Sequence, residues 1–323
     1  MRIAVYGAGG MAGSMGARLW QAGHDLAIIA RGEHLKAIQQ GGLRIEFREG
    51  GGFTATPRVA TDDPSKVGLV DLVILGVKAW QVPEAARALL PMVGPETRVM
   101  TIQNGVEAPY QVAEVVPAER VITGAMIGGG EVVRPGCIRA RNLHIPDPNL
   151  PESPLGQIAP ERAGRTDSVA RVQDALQDAG WRIVLPEDIR VALWNKFAPY
   201  AAFAGVAAVC RAPNGVLRQV QESRALMRRA AEEIVAVAHA QGIAVGKESL
   251  ELLELVVNTW ALTFINSAAR DFLAGRPSEV VDFSGSVLRL GRAAGVPTPV
   301  NEFIYAALLP QELKALGQIA WPE

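Results

Sequence analysis

The sequence predicts an α/β unit built on a parallel sheet, followed by an all-α unit. Three observations carry that prediction. The first half alternates short apolar runs with helical spacing, the pattern of βαβ units. A glycine-rich turn stands directly between the first strand and the first helix. From Asp188 onward strand signals vanish, and long helical patterns punctuated by Gly or Pro take over.

Strands are expected over 3–6, 25–30, 69–75, 98–102 and 121–127, with helices over 11–21, 34–40, 80–90 and 108–115. Residues 43–59 read as a β excursion broken at Gly50-Gly51-Gly52, and a second β passage over 131–145 turns at Pro135-Gly136. The stretch 146–165, rich in Pro, Gly and Glu, is expected to be a surface loop. A helix over 167–179 and a strand over 182–185 are expected to close the sheet. Helices are then expected over 188–210, 215–241, 247–274, 280–294 and 301–317, with Pro199 kinking or interrupting the first. The division falls near 185–188, which gives units of 1–186 and 187–323; a chain of 323 residues is long enough for two cores. A helix such as 215–241 fits packing within the chain or a homodimer seam equally well.

Hydrophobic residues make up 49% of the chain and aromatic residues only 6%, so the core is built from Ala, Val, Leu and Ile. A formal net charge of -1 with 20% charged residues leaves no sustained basic surface for nucleic acid or an anionic membrane. Cys137 and Cys210 form neither a disulfide framework nor a CxxC pair, so no metal site is expected. The opening residues read as a strand, so no leader is expected, and no apolar run nears the ~20 residues that span a bilayer. A soluble, cytoplasmic protein is expected.

The turn after the first strand reads Gly7-Ala8-Gly9-Gly10-Met11-Ala12, a GxGxxA pattern. Gly7 permits the tight turn, Gly9 lets a pyrophosphate approach the backbone, and small Ala12 lets helix and strand pack closely. The helix start offers free N–H groups and a positive dipole end to phosphates. This is the fingerprint of a Rossmann unit, and it predicts that Gly7, Ala8, Gly9, Gly10, Met11 and Ala12 hold a dinucleotide. The second strand ends at Ala30-Arg31. An acid there would bind the ribose hydroxyls of NAD, whereas an Arg pairs with the 2′-phosphate of NADP. Glu33 is the rival signal, and Arg31 tips the expectation to NADPH.

Further motifs are Gly76-Val77-Lys78-Ala79-Trp80-Gln81, Ile102-Gln103-Asn104-Gly105-Val106, Ala192-Leu193-Trp194-Asn195-Lys196-Phe197 and Ala212-Pro213-Asn214-Gly215. With the opening glycines and Arg31, they resemble the ketopantoate reductase family over nearly the whole chain. The resemblance implies a Rossmann domain followed by an all-α domain, with NADPH and a small 2-keto acid between them. It also implies reduction of 2-dehydropantoate to pantoate, a step of pantothenate biosynthesis. Lys78 and Asn104 match residues lining the nicotinamide and ribose; both also lie just past expected strand ends, where open α/β sheets bind ligands. Lys196 matches the family's catalytic lysine. Hydride arriving at C2 leaves negative charge on the carbonyl oxygen, and an ammonium can stabilise it and donate the proton. Lys196 is one of only six lysines and has Leu193, Trp194, Phe197 and Ala198 as neighbours, a setting that lowers its pKa. In the segments 264–271 and 278–282, Ser267 and Glu279 match a carboxylate-binding serine and an acid beside the lysine. On its own, Glu279 reads as a helix-start carboxylate with Ser278 as N-cap.

The chain departs from that pattern where the family carries two asparagines, which are here Tyr200 and Ala204. A site lacking such amides has less reason to demand a substrate hydroxyl. The alternative expectation is therefore a 2-hydroxyacid dehydrogenase of the same family acting on branched or aromatic 2-keto acids. In the direct reading, Tyr200 supplies its phenol to the substrate in place of the amide. A third reading is an NADPH-binding sensor without turnover, which would have no need of Lys196 and Glu279. None of the four histidines, 24, 34, 144 and 239, has a carboxylate at an orienting spacing, so a histidine acid is not expected.

Overall fold

The first strand is apolar on both faces after Arg2, which only a central strand of a helix-covered sheet can use. The structure, a computed structural model, describes residues 1–147, 150–158 and 166–321. It divides into two units, Met1–Ile189 and Arg190–Glu323.

In the first unit the elements run β1 (Arg2–Tyr6), α1 (Gly10–Gln21), β2 (Asp25–Ile29), α2 (Gly32–Gly41), β3 (Leu43–Phe47), β4 (Gly52–Ala55), β5 (Val59–Thr61) and β6 (Val70–Leu75). They continue α3 (Val82–Ala88), β7 (Val93–Thr101), α4 (Ala108–Ala113), β8 (Val121–Gly124), β9 (Gly130–Arg134), β10 (Cys137–Ala140), β11 (Ser153–Gln157), α5 (Asp167–Asp178) and β12 (Ile183–Val184). The main sheet has the order β12-β11-β8-β7-β6-β1-β2-β5 and is parallel except where β11 pairs with β8. The chain leaves β1 toward β2 and β5, then returns to β6 on the other side. Crossovers thus diverge at the carboxyl ends of β1 and β6, the switch point where open α/β sheets bind ligands.

Alternation divides the core. Ile3, Val5, Leu26, Ile28, Leu72 and Ile74 face one side of the sheet, with residues of α1 and α5. Ala4, Tyr6, Ala27, Ile29, Val73 and Leu75 face the other, with residues of α3 and α4. A second sheet, order β4-β3-β10-β9, packs against α1. Its β9–β10 connection passes through Gly136 at φ +70, a left-handed conformation that favours glycine.

The β excursion thus divides: β3 and β4 join the second sheet, while β5 pairs with β2. The expected loop 146–165 is corrected in part, because β11 lies within it as a strand of the main sheet. Its residues, Ser-Pro-Leu-Gly-Gln, carry no strand propensity. Context decides instead, since Gly156 leaves room for Ile189, whose Cβ would lie 2.9 Å from an added Cβ. Residues 148–149 and 159–165 of that expected loop lie outside the described residues.

The second unit is helical: α6 (Ile189–Cys210, whose first residue closes the first unit), α7 (Asn214–Leu217), α8 (Gln221–Ala240), α9 (Glu248–Thr259), α10 (Ser267–Leu273), α11 (Glu279–Ala294) and α12 (Pro299–Ala315). Helix α6 runs unbroken through Pro199, contrary to the expected interruption. Every residue from Ala201 to Ala208 is buried, and such packing offsets the ~3 kcal/mol cost of an internal proline. The expected helix 247–274 divides into α9 and α10, and 215–241 into α7 and α8. The apolar face of α8, with Met227, Ala230 and Ile234, packs within the unit against α11 and α12. No helix among the described residues is long and apolar enough to cross a membrane, and none of their His, Cys, Asp or Glu cluster as a metal site would require.

Candidate cofactor and catalytic sites

The switch point of the first unit opens into a cavity of about 650 Å³. Its floor is the turn Gly7–Gly9. Gly7 adopts φ +90, and a Cβ there would lie 2.9 Å from Val77 Cγ1, so glycine is required on both counts. Gly9 is the N-cap of α1 and caps it with no side chain. An added Cβ on Gly9 would meet nothing nearer than the Gly76 carbonyl at 3.9 Å. The N–H groups at the start of α1 are thereby left for a ligand rather than a capping hydroxyl. Ala12 takes up a close approach: a Cβ on Gly76 would lie 2.1 Å from Ala12 Cβ.

Arg31 and Lys78 both line this cavity, Arg31 as N-cap of α2 and Lys78 after β6. Arg31 stands 4.0 Å from Glu84, another lining residue. Burial pushes the Tyr6 phenol up, and the Arg31 charge beside it pulls the other way. Of the residues expected at the dinucleotide, Gly10, Met11, Ala12 and Asn104 are not among those lining the cavity. Gly10 instead meets the second sheet, where an added Cβ would lie 2.0 Å from the Gly130 carbonyl oxygen. Asn104 is half-buried in the turn after β7. Next to it, the buried Gln103 amide donates to the Leu75 and Val77 carbonyls at 2.8 and 3.0 Å and fastens the ends of β6 and β7.

Sequence reasoning passed over Tyr6, Gln81, Glu84, Val132, Arg134 and Pro135 as lining residues. Gln81 closes the Lys78 motif and Glu84 stands three residues beyond it, so both could have been found from that motif. The β9–β10 residues carry no local signal, because they reach the cavity through the second sheet.

In the second unit the structure brings together Lys196, Tyr200, Ser267 and Glu279 from three helices. Lys196 and Tyr200 lie one turn apart on α6. Tyr200 Oη is 2.7 Å from Ser267 Oγ at the start of α10. Glu279 is 5% exposed and opens α11, where the helix dipole favours its charge. Phe283, one turn later, meets the edges or faces of Phe197 and Tyr200 at 5.7 and 5.8 Å.

Two buried N-caps tie these helices. Asn266 accepts from Ala269 N–H and donates to the Tyr200 carbonyl at 3.2 Å, so α10 is fastened to α6. Ser278 Oγ accepts from Val280 N–H and donates to the Ala268 carbonyl at 2.7 Å, fastening α11 to α10. The buried Glu312 carboxylate accepts from Ser278 N–H at 2.9 Å.

The electrostatics follow from this packing. Part of Lys196 stays accessible, but desolvation of its ammonium lowers the pKa to about 8, with the Glu279 charge opposing that fall. Burial pushes the Tyr200 phenol up to about 12, so it remains a neutral hydroxyl able to donate. Such an arrangement can hold a proton near neutral pH and release it to a developing alkoxide.

Comparison with known proteins identifies relatives over nearly the whole chain. The family model described as Ketopantoate reductase PanE/ApbA matches residues 3–145, and its C-terminal counterpart matches 188–312. A 2-dehydropantoate 2-reductase of Halobacterium salinarum is 29% identical over 93% of this chain and 95% of its own. One of Mesorhizobium japonicum is 27% identical over 95% and 96%. The crystal structure of a PanE/ApbA family ketopantoate reductase from Ralstonia eutropha superimposes with a TM-score of 0.86 at 28% identity, covering 98% of this chain and 100% of that one. A D-mandelate dehydrogenase solved with NADH and anilino(oxo)acetate shares the fold, with a TM-score of 0.85 at 21% identity. The chain belongs to the ketopantoate reductase family.

Proposed function

We propose that this chain is an NADPH-dependent reductase that converts 2-dehydropantoate to pantoate. The observation that carries this reading is the pair of Lys196 and Glu279, with a lysine pKa brought to about 8. A sensor without turnover would have no use for a lysine tuned in this way.

The first unit fits the cofactor. Gly9 leaves open the space that a side chain would fill, and the start of α1 has no side-chain cap. Arg31 at the rim supports NADPH over NADH, since its guanidinium can pair with a 2′-phosphate. Lys78 and Asn104, past the ends of β6 and β7, would hold the ribose and nicotinamide. When bound, the reduced nicotinamide supplies the hydride that adds to C2 of the keto acid.

This chain's own residues do the rest. Lys196 Nζ donates its proton to the substrate carbonyl oxygen as charge develops there, and solvent later restores the ammonium. Glu279 orients that ammonium and keeps it charged. Either hydroxyl can donate in the Tyr200–Ser267 hydrogen bond, and with Tyr200 as donor Ser267 keeps its own proton for the substrate carboxylate. The free thiols of Cys137 and Cys210 fit a reducing, cytoplasmic location.

Tyr200 favours a second reading. Its phenol is already engaged by Ser267 and its ring packs on Phe283, so the surface beside the lysine is aromatic where an amide was expected. That supports a branched or aromatic 2-keto acid as substrate. One experiment separates the readings: consumption of NADPH and of NADH against a panel of 2-keto acids that includes 2-dehydropantoate. Turnover of 2-dehydropantoate with NADPH well above all others is the expected result. Preference for an apolar keto acid would replace it with the second reading, and no turnover of any would overturn both.

A further inference from the structure

Both ring nitrogens of His34 are engaged by main-chain groups, one in the Gly7–Gly9 turn and one in the β9–β10 turn. Nε2 lies 3.0 Å from the carbonyl oxygen of Ala8, inside the Gly7–Gly9 turn. Nδ1 lies 3.1 Å from the amide nitrogen of Gly136, in the β9–β10 turn. A carbonyl only accepts and an amide N–H only donates, so the ring must carry its proton on Nε2 and be neutral. These partners are 26 and 102 positions away in sequence. One belongs to the floor under the expected pyrophosphate. The other follows Val132, Val133, Arg134 and Pro135, which form a wall of the same cavity.

The wall is seated closely on the helix that carries His34. A Cβ on Gly136 would lie 2.8 Å from Ala37 Cβ, so the β9–β10 turn has little freedom against α2. The imidazole adds a side-chain link between the Gly7–Gly9 turn and the β9–β10 turn. The charged groups facing this region are Arg31 with Glu84, Lys78, and Arg134 with Glu46, while Glu33 and Lys36 pair with each other on α2.

We propose that His34 is a positioning residue for the dinucleotide: it braces the phosphate-binding turn against the β9–β10 wall, and its protonation loosens cofactor binding. Protonation places an N–H on Nδ1, where it faces the Gly136 N–H, and one of the two bonds is lost. Burial already holds the imidazole below its ordinary pKa, which keeps the brace intact at neutral pH. The same group therefore weakens the site only as the medium becomes acidic. This rests on reading the cavity as a dinucleotide site.

The test is the dissociation constant of NADP+ and of NAD+, by calorimetry, between about pH 7.5 and 5.5. Both ligands are needed because a phosphate monoester such as the 2′-phosphate itself titrates near ~6. His34→Phe keeps the ring volume and removes both nitrogens. It should bind either dinucleotide about tenfold more weakly at the upper pH, and lose the further weakening that wild type shows for NAD+ on acidification. His34→Gln, which retains an amide donor and acceptor, should recover part of the affinity without recovering the pH step. Melting temperatures identify a variant that fails to fold, in which case His34→Gln alone decides through the NAD+ pH profile. Variants with wild-type affinity, or with the full pH step for NAD+, overturn the role of His34 while leaving the cofactor reading in place. A wild-type protein that binds neither dinucleotide overturns that reading and the brace with it.

Discussion

The phenol of Tyr200 lies 2.7 Å from the hydroxyl of Ser267, joining α6 to the first residue of α10 within the helical unit. The carboxylate-binding serine of the proposed site is thus held by the residue that departs from the family pattern. Tyr200→Phe keeps the packing on Phe283 and removes the hydrogen bonds of the phenol, to Ser267 and to the Ala268 backbone. A neutral hydrogen bond contributes ~1 kcal/mol, so KM for the keto acid should rise about fivefold with kcat nearly unchanged. Tyr200→Asn should raise the ratio of kcat/KM for 2-dehydropantoate over an apolar 2-keto acid. Steady-state kinetics on both substrates would measure this, and an unchanged ratio would remove Tyr200 from substrate selection.

Lys196→Ala should lower kcat by about 100- to 10,000-fold, the usual worth of a positioned general acid. NADPH should still bind, as read by the fluorescence of the reduced cofactor. Undiminished turnover would place the acid elsewhere.

The pH dependence has a definite sign. Reduction needs the ammonium form of Lys196, whose pKa is brought to about 8, so kcat/KM should fall as pH rises through that value. Glu279 opposes the downward shift, and its removal must deepen it. Glu279→Gln should therefore move the alkaline limb to lower pH. A limb that stayed in place would show that Glu279 does not act on the lysine.

Arg31→Ala should raise KM for NADPH by about 10- to 100-fold, the equivalent of ~1.5–3 kcal/mol for a hydrogen bond to a charged group. KM for NADH should change little, because it lacks the 2′-phosphate. Equal losses with both cofactors would show that Arg31 does not read that phosphate.

Two glycines of the cofactor cavity should behave differently. Gly9→Ala finds open space, so the protein should melt close to wild type while binding cofactor poorly. Gly76→Ala forces a Cβ to 2.1 Å from Ala12 Cβ and 2.5 Å from the Gly7 carbonyl oxygen. Overpacking of this kind costs ~1–3 kcal/mol, so the melting temperature should drop by several degrees. Calorimetric scans of the two variants would make the comparison.

What the sequence determined by itself was whatever chemistry is local along the chain. The Gly7–Ala12 turn was legible because each small residue answers a demand made by its immediate neighbours, the tight turn and the start of α1. Lys196 stood out because most residues around it on α6 are apolar, and Arg31 because it follows the second strand. The βαβ alternation likewise reads directly from period and punctuation.

Tertiary structure decided what lies far apart in sequence. No local pattern says that Tyr200 meets Ser267, that the charge of Glu279 reaches Lys196, or that Gly10 on α1 meets Gly130 on β9. Helix α6 survives Pro199 because it is buried around the substituted turn, and β11 forms from residues of weak propensity because the sheet supplies its partner. The helix expected over 247–274 stops at Thr259 and restarts after Asn266, whose side chain is satisfied only by groups on α6 and α10. Packing and long-range hydrogen bonds outweigh propensities worth only tenths of a kcal/mol per residue, so such choices stay hidden until the chain is folded.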